Sequence, residues 1–220
     1  MRPAIALLEF DSIARGIAAG DAMVKRSPLG VIRAGTVHPG KYLVLIGGLT
    51  ADVEEAMGAG REAGGASLVD VVFLPDVHPD VVASIGGVRR EDGGESLGVV
   101  ETRTAAAVID AADAGVKGAR VTLRELRLAD DLGGKGYVLF GGEVAEVEAA
   151  VEHAVARIAP SGHETAHVVI ARLHDEMRAN LTADPGFASR ARGVEKPEEG
   201  GGEPPSPPPG GRPLPGSGGR

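Results

Sequence analysis

The stretch Leu7-Leu8-Glu9-Phe10-Asp11-Ser12-Ile13-Ala14-Arg15-Gly16-Ile17-Ala18-Ala19-Gly20-Asp21-Ala22-Met23-Val24-Lys25 returns 92 positions later as Val99-Val100-Glu101-Thr102-Arg103-Thr104-Ala105-Ala106-Ala107-Val108-Ile109-Asp110-Ala111-Ala112-Asp113-Ala114-Gly115-Val116-Lys117. Aligned over residues 6–25 and 98–117, the two share eight identities in twenty positions, among them Glu9/Glu101, Ile17/Ile109, Asp21/Asp113 and Lys25/Lys117. Farther on, Gly40-Lys41 matches Gly134-Lys135 and Gly47-Gly48 matches Gly141-Gly142 at an offset of 94, so two residues are inserted between the blocks. Self-similarity of this kind means one supersecondary unit made twice.

Within each unit the residues spell out the elements. Residues 4–10 are a short apolar run, and Ser12 is a plausible N-cap for a helix with Ile13, Ile17, Gly20 and Val24 along one face. Thr104 repeats the cap, and Ala105, Ile109, Ala112 and Val116 repeat the stripe. Strands at 31–37 and 42–48 are joined by His38-Pro39-Gly40-Lys41, Thr50 is expected to cap a helix to about Gly64, and 67–74 closes the unit. The second copy supplies strands at 121–128 and 136–142, a helix over 144–158, a strand near 165–172 and a last helix to about Leu181. The fold class is α+β: two tandem βαββαβ domains, each an antiparallel four-stranded sheet with helices on one face. The expected boundaries are 1–86, a Gly-rich charged linker at 87–95, 96–183, and a disordered Pro/Gly-rich tail at 184–220. From 195 to 220 the tail holds eight Pro and eight Gly, with Leu214 its only other apolar side chain.

Composition narrows the chemistry. The 220 residues are 43% hydrophobic and 25% charged, as in a soluble globular protein, but aromatics fall to 3%, so the cores rest on aliphatic side chains. With no Cys there is no disulfide, thiolate zinc site, cysteine nucleophile or cysteine-held iron–sulfur cluster. A net charge of -8 has the wrong sign for a chain that neutralises phosphates, so nucleic acid is not an expected partner. No apolar run approaches the ~18 residues of a membrane span, and Glu9 and Asp11 interrupt any secretory apolar region, so a cytoplasmic chain with no membrane partner is expected.

Two motifs invite an enzymatic reading. Gly35-Thr36-Val37-His38-Pro39-Gly40-Lys41 matches most of a phosphate-binding loop, but Tyr42 stands where a magnesium-holding hydroxyl belongs, and a strand follows in place of a helix. His163-Glu164-Thr165-Ala166-His167 has the spacing of a helical zinc-peptidase motif. Aligned with the first copy it falls on a strand, where residues four apart stand about 13 Å from each other, too far to share a metal. No catalytic residue, cofactor or metal ligand is therefore assigned. A zinc peptidase and a small-ligand-binding ferredoxin-like sensor stay as the alternatives.

The blocks Leu7-Leu8-Glu9, Gly20-Asp21-Ala22-Met23-Val24-Lys25 and residues 47–56, with their second-copy partners, resemble the shell proteins of bacterial microcompartments, in the tandem-domain class. The resemblance implies a non-catalytic homotrimer that imitates a hexamer. It would tile a microcompartment shell in the cytoplasm beside hexameric and pentameric shell proteins and pass small polar metabolites through a central pore. Carried over by position, Lys25, Lys117, His78, Arg172 and His174 become residues of the assembly edge. The hairpins lining the pore become Val37, His38, Pro39 and Gly40 in the first copy, and Ala129, Asp130, Asp131, Leu132, Gly133 and Gly134 in the second. Some tandem members hold an iron–sulfur cluster at that pore through Cys, which this chain lacks.

Overall fold

In the computed structural model, which describes residues 3–91 and 93–183, each half of the chain runs strand, helix, strand, strand, helix, strand, short helix. The first half comprises β1 (Ala4–Phe10), α1 (Ile13–Arg26), β2 (Val31–Val37), β3 (Lys41–Gly48), α2 (Thr50–Gly64), β4 (Leu68–Leu74) and α3 (Pro79–Ile85). The second comprises β5 (Ser96–Thr102), α4 (Ala105–Gly118), β6 (Thr122–Leu128), β7 (Gly136–Gly142), α5 (Val144–Ile158), β8 (Glu164–Ile170) and α6 (Asp175–Thr182). The two antiparallel sheets have matching orders, β2-β3-β1-β4 and β6-β7-β5-β8. The tandem α+β reading holds. The tail expected at 184–220 lies outside the described residues.

Local chemistry starts most helices where the sequence places them. Ser12 Oγ accepts the Arg15 N–H at 3.4 Å, and Thr104 Oγ1 accepts the Ala107 N–H at 3.2 Å, caps that contribute about 1 kcal/mol each. Thr50 is a correction: Leu49 occupies the cap position without a side-chain bond, and Thr50, the first helical residue, instead donates its hydroxyl to the Pro75 carbonyl at 3.4 Å.

Even-numbered β1 residues Ala4, Ala6, Leu8 and Phe10 join Val44 and Ile46 beneath α1 and α2, whose inner faces carry Ala19, Met23, Val53 and Ala56. Helix and sheet approach closely here. A Cβ on Gly64 of α2 would stand 2.2 Å from Phe10 Cε1, so only glycine fits at this contact. The odd-numbered face of the same sheet is not left to solvent: Ile5, Leu7, Val72 and Leu74 merge into one core with α4 and the second sheet. Each sheet thus has a helix-bearing face of its own and an opposite face available to another domain.

The stripe along α1 needs correcting accordingly. Its buried residues are Gly16, Ala19, Gly20 and Met23, while Ile13, Ile17 and Val24 are 42%, 54% and 46% exposed. On α4 the corresponding Ala105 and Ile109 are fully buried. The periodicity is real, but it faces away from the domain that carries it.

Candidate assembly interface and hairpin loops

The joint between the two domains is built from α4 laid across β1 and β4. Its outer face presents Ala105, Ala106, Ile109 and Asp113 to Leu7, Val72 and Leu74 of the first sheet, all buried. Polar groups set the register. Glu9, fully buried, accepts the Ala105 N–H at the start of α4 at 2.8 Å and the Lys41 ammonium at 2.6 Å. The carboxylate thus meets both the positive end of a helix and a cation, which offsets its desolvation.

Thr104 Oγ1 bonds Asp70 Oδ2 at 2.5 Å, and His163 Nε2 stands 3.6 Å from the same oxygen. At the other end of α4, Asp113 accepts the His78 N–H at 2.8 Å and the Lys117 ammonium at 2.5 Å, and Lys117 also donates to the Asp76 carbonyl. Arg157 pairs with Asp110 at 2.9 Å near the same joint, where burial pushes the Asp110 carboxyl above the usual carboxylate range against the pull of Arg157. Stability from Asp110 is therefore fully present below its unfolded pKa and lost as pH rises through its raised folded value.

The helix face, Val72, Glu9 and Asp113 each have a repeat counterpart, and those counterparts are open, whereas Asp70, Asp110 and Arg157 align with Ala166, Ala18 and Ala63. Ile13, Ala14, Ile17 and Asp21 on α1 match Ala105, Ala106, Ile109 and Asp113, yet all four are exposed. Val168 on β8 matches Val72; the first is 47% exposed and the second 4%. Glu101 matches Glu9. Lys135 lies 2.6 Å from it and holds its carboxyl below the usual range, but among the described residues no helix N-terminus reaches it. Asp21 matches Asp113, but it pairs with Lys25 at 2.6 Å on its own helix.

The two hairpins meet side by side. His38 Nδ1 of the β2–β3 loop lies 3.8 Å from Asp131 Oδ1 of the β6–β7 loop, with both side chains exposed. The second loop is held in left-handed conformations by Ala129 (φ 51°) and Asp131 (φ 58°), with Gly133 and Gly134 completing the turn. Its closure is internal: the Ala129 N–H donates to the Lys135 carbonyl at 3.0 Å and the Leu132 N–H to Ala129 at 3.1 Å. Asp tolerates this region well, and buried Ala129 does so only because its surroundings over-determine it.

The other sequence-derived candidates scatter. His78 and His174 precede α3 and α6, and each ring Nδ1 accepts a backbone N–H two residues on, from Asp80 at 3.2 Å and Glu176 at 3.3 Å. Arg172 is exposed, 4.0 Å from Glu95. Lys25 points to Asp21, whereas the ammonium of Lys117 is engaged inside the chain. His163 precedes β8 and His167 lies on it, so the peptidase-like spacing falls on no helix. Among the described residues no group of three or more His, Asp or Glu side chains could hold a metal, and no helix is long and apolar enough to cross a membrane. Lys41, the last residue of the phosphate-loop-like stretch, serves Glu9. Glu9 and Asp113 were not among the candidates from sequence; their signal was an acidic residue identical in both copies, one inside an apolar strand and one on an Ala-rich helix.

Comparison with known proteins gives consistent matches. The BMC domain model matches twice, at residues 4–77 and 96–173. The chain is 38% identical over 177 residues to the bacterial microcompartment shell protein PduT of Citrobacter freundii, covering 80% of this chain and 96% of that one. One copy's length, 84 residues, is 37% identical to carboxysome shell protein CcmK2 of Synechococcus elongatus, covering 37% of this chain and 80% of that one. Among solved structures, a microcompartment protein from Desulfitobacterium hafniense superposes with a TM-score of 0.72 at 38% identity, covering 81% of this chain and 99% of that one.

Proposed function

The chain belongs to the BMC-domain family of microcompartment shell proteins, and from that premise we propose that three copies close into a ring of six domains, one tile of a shell wall. The observation that carries this is the unequal burial of repeated surfaces. Inside the chain, α4 covers β1 and β4; the outer face of the copied helix α1 and the copied strand β8 are exposed, and Val99 and Glu101 on the same face of β5 are only partly buried. Placing α1 of one chain on β5 and β8 of the next repeats the internal joint, and three repetitions close the ring. In that arrangement Glu101 receives the Ile13 N–H of the next chain, as Glu9 receives that of Ala105. The protein is then a structural tile rather than an enzyme, sited in a microcompartment shell in the cytoplasm with hexameric and pentameric shell proteins as neighbours. Co-production with a single-domain shell protein tests this: mixed sheets or shells carrying both chains in electron micrographs are expected, and consistent exclusion of this chain from them contradicts the role.

Lys25 in this ring takes the place of Lys117, capping the Arg172 carbonyl of the neighbouring chain. Lys117→Ala is expected to cost the single chain about 1–3 kcal/mol in denaturant unfolding, because a charge-assisted contact across its internal joint is lost. Lys25→Ala is expected to cost the single chain under about 0.5 kcal/mol, the worth of an exposed i,i+4 pair, and to act on assembly instead. Equal losses in unfolding stability would separate the two lysines from the repeated joint.

The adjacent hairpins ring the centre of the tile, where small polar metabolites pass. Asp130 and Asp131 from three chains place six carboxylates there, a focused negative potential that slows anions. Asp130→Asn with Asp131→Asn is expected to speed entry of an anionic probe into assembled shells and to leave a neutral probe of equal size unchanged. Added salt is expected to shrink the difference, since screening acts over about 8 Å at physiological ionic strength. An equal response from both probes would make the effect steric.

A further inference from the structure

The first sheet carries an apolar groove of about 340 Å³, lined among others by Ile5, Val31, Arg33, Leu45, Val82 and Ile85. In the second domain the corresponding surface is occupied by the linker. The Arg90 N–H donates to the Arg124 carbonyl of edge strand β6 at 2.9 Å, Arg89 pairs with Glu125 at 2.8 Å, and Gly93 lies against Gly141 and Thr122. By register Gly141, Thr122 and Glu125 are the counterparts of Gly47, Val31 and Arg33, all of which line the groove.

We propose that residues 184–191 of a neighbouring copy fill this groove, as the linker fills its counterpart. This rests on the ring reading. The linker leaves α3 and crosses onto the next domain in the ring; the chain leaving α6 meets, at the same step, the first domain of the next copy. Aligned on α3 and α6, Asp184-Pro185-Gly186-Phe187 falls on Val88-Arg89-Arg90-Glu91. Charge favours the same occupant: the linker's Arg89 pairs with Glu125, and the later segment carries the anion Asp184, one position before the counterpart of Arg89, for the cation Arg33. Phe187, the only aromatic residue after Phe140, supplies an apolar side chain to an apolar cavity.

The absence of native cysteine makes the test direct. Two differently tagged chains, one Val31→Cys and one Phe187→Cys, are co-produced and treated with a short bismaleimide. A two-chain product is expected. In parallel, a chain ending at Ala191 is expected to keep the trimer's dissociation profile, and one ending at Ala183 to lose about tenfold or more in trimer affinity. A trimer of normal mass with no Val31–Phe187 product, or with unchanged affinity after removal of 184–191, overturns this inference and leaves the ring intact. A groove filled by the chain's own N-terminus, or by another shell protein, overturns it too. A monomeric mass for the unaltered chain overturns the ring itself.

Discussion

Ile17→Asp is expected to leave the single chain folded and to break the assembly down to species of 22.3 kDa in size-exclusion chromatography with light scattering. Ile17 is 54% exposed within one chain, so a carboxylate there stays hydrated and costs little, within about 0.5 kcal/mol. In the ring it lies where Ile109 lies in the internal joint, fully buried. Desolvating an unpaired carboxylate costs several kcal/mol, and the burial of the lost side chain forfeits up to about 1.5–3 kcal/mol more. The penalty recurs at each of the three joints. Ile109→Asp puts the same chemistry inside the chain, and there the unfolding midpoint itself is expected to fall steeply. The same substitution thus reads as an assembly defect in one copy and a folding defect in the other. A shared folding defect would mean that α1 does not use its exposed face.

Glu9→Ala is expected to destabilise the chain by about 3–5 kcal/mol in denaturant unfolding, because it strands the Lys41 ammonium and the Ala105 N–H at a buried joint. Glu101→Ala is expected to change the unfolding of the isolated chain far less, since Glu101 is partly exposed and holds Lys135 at the surface. Its effect appears on acidification of the assembled form. The folded pKa of Glu101 is lowered by Lys135, so its contribution is present above the unfolded carboxylate pKa and is lost as pH falls through the lowered value. In the proposed ring the Glu101 carboxylate accepts a further N–H at the joint, which favours its charged form beyond what Lys135 does in the single chain, so the unaltered assembly is expected to loosen on acidification and the Glu101→Ala assembly to be weak from the outset.

The fold was readable from sequence because each unit repeats a short apolar strand and a capped, period-3.6 helix, and the repeat checks every element twice. Ser12 and Thr104 cap as their chemistry dictates, and residues 163–167 are kept from a helix by alignment with the first copy. What sequence did not reveal was direction. The spacing of Ile13, Ile17 and Val24 establishes an apolar face, but nothing in a helical period says whether its partner lies in the same domain or the next. Thr50 failed for a similar reason: a hydroxyl near a helix start can cap its own helix or bond elsewhere, and Pro75, distant in sequence, accepts it. Glu9 shows the limit most clearly. A carboxylate in an apolar strand is tolerable only because Lys41 and α4 arrive from other elements, and that is knowledge of tertiary structure.

The central claim is that the joint between chains repeats the joint within one. Sedimentation equilibrium of the unaltered full chain at micromolar concentration tests it most directly. A single species of about 67 kDa, three times the 22.3 kDa chain, is the predicted result. A stable species of one or two chain masses would contradict it, because neither closes a ring of alternating domains.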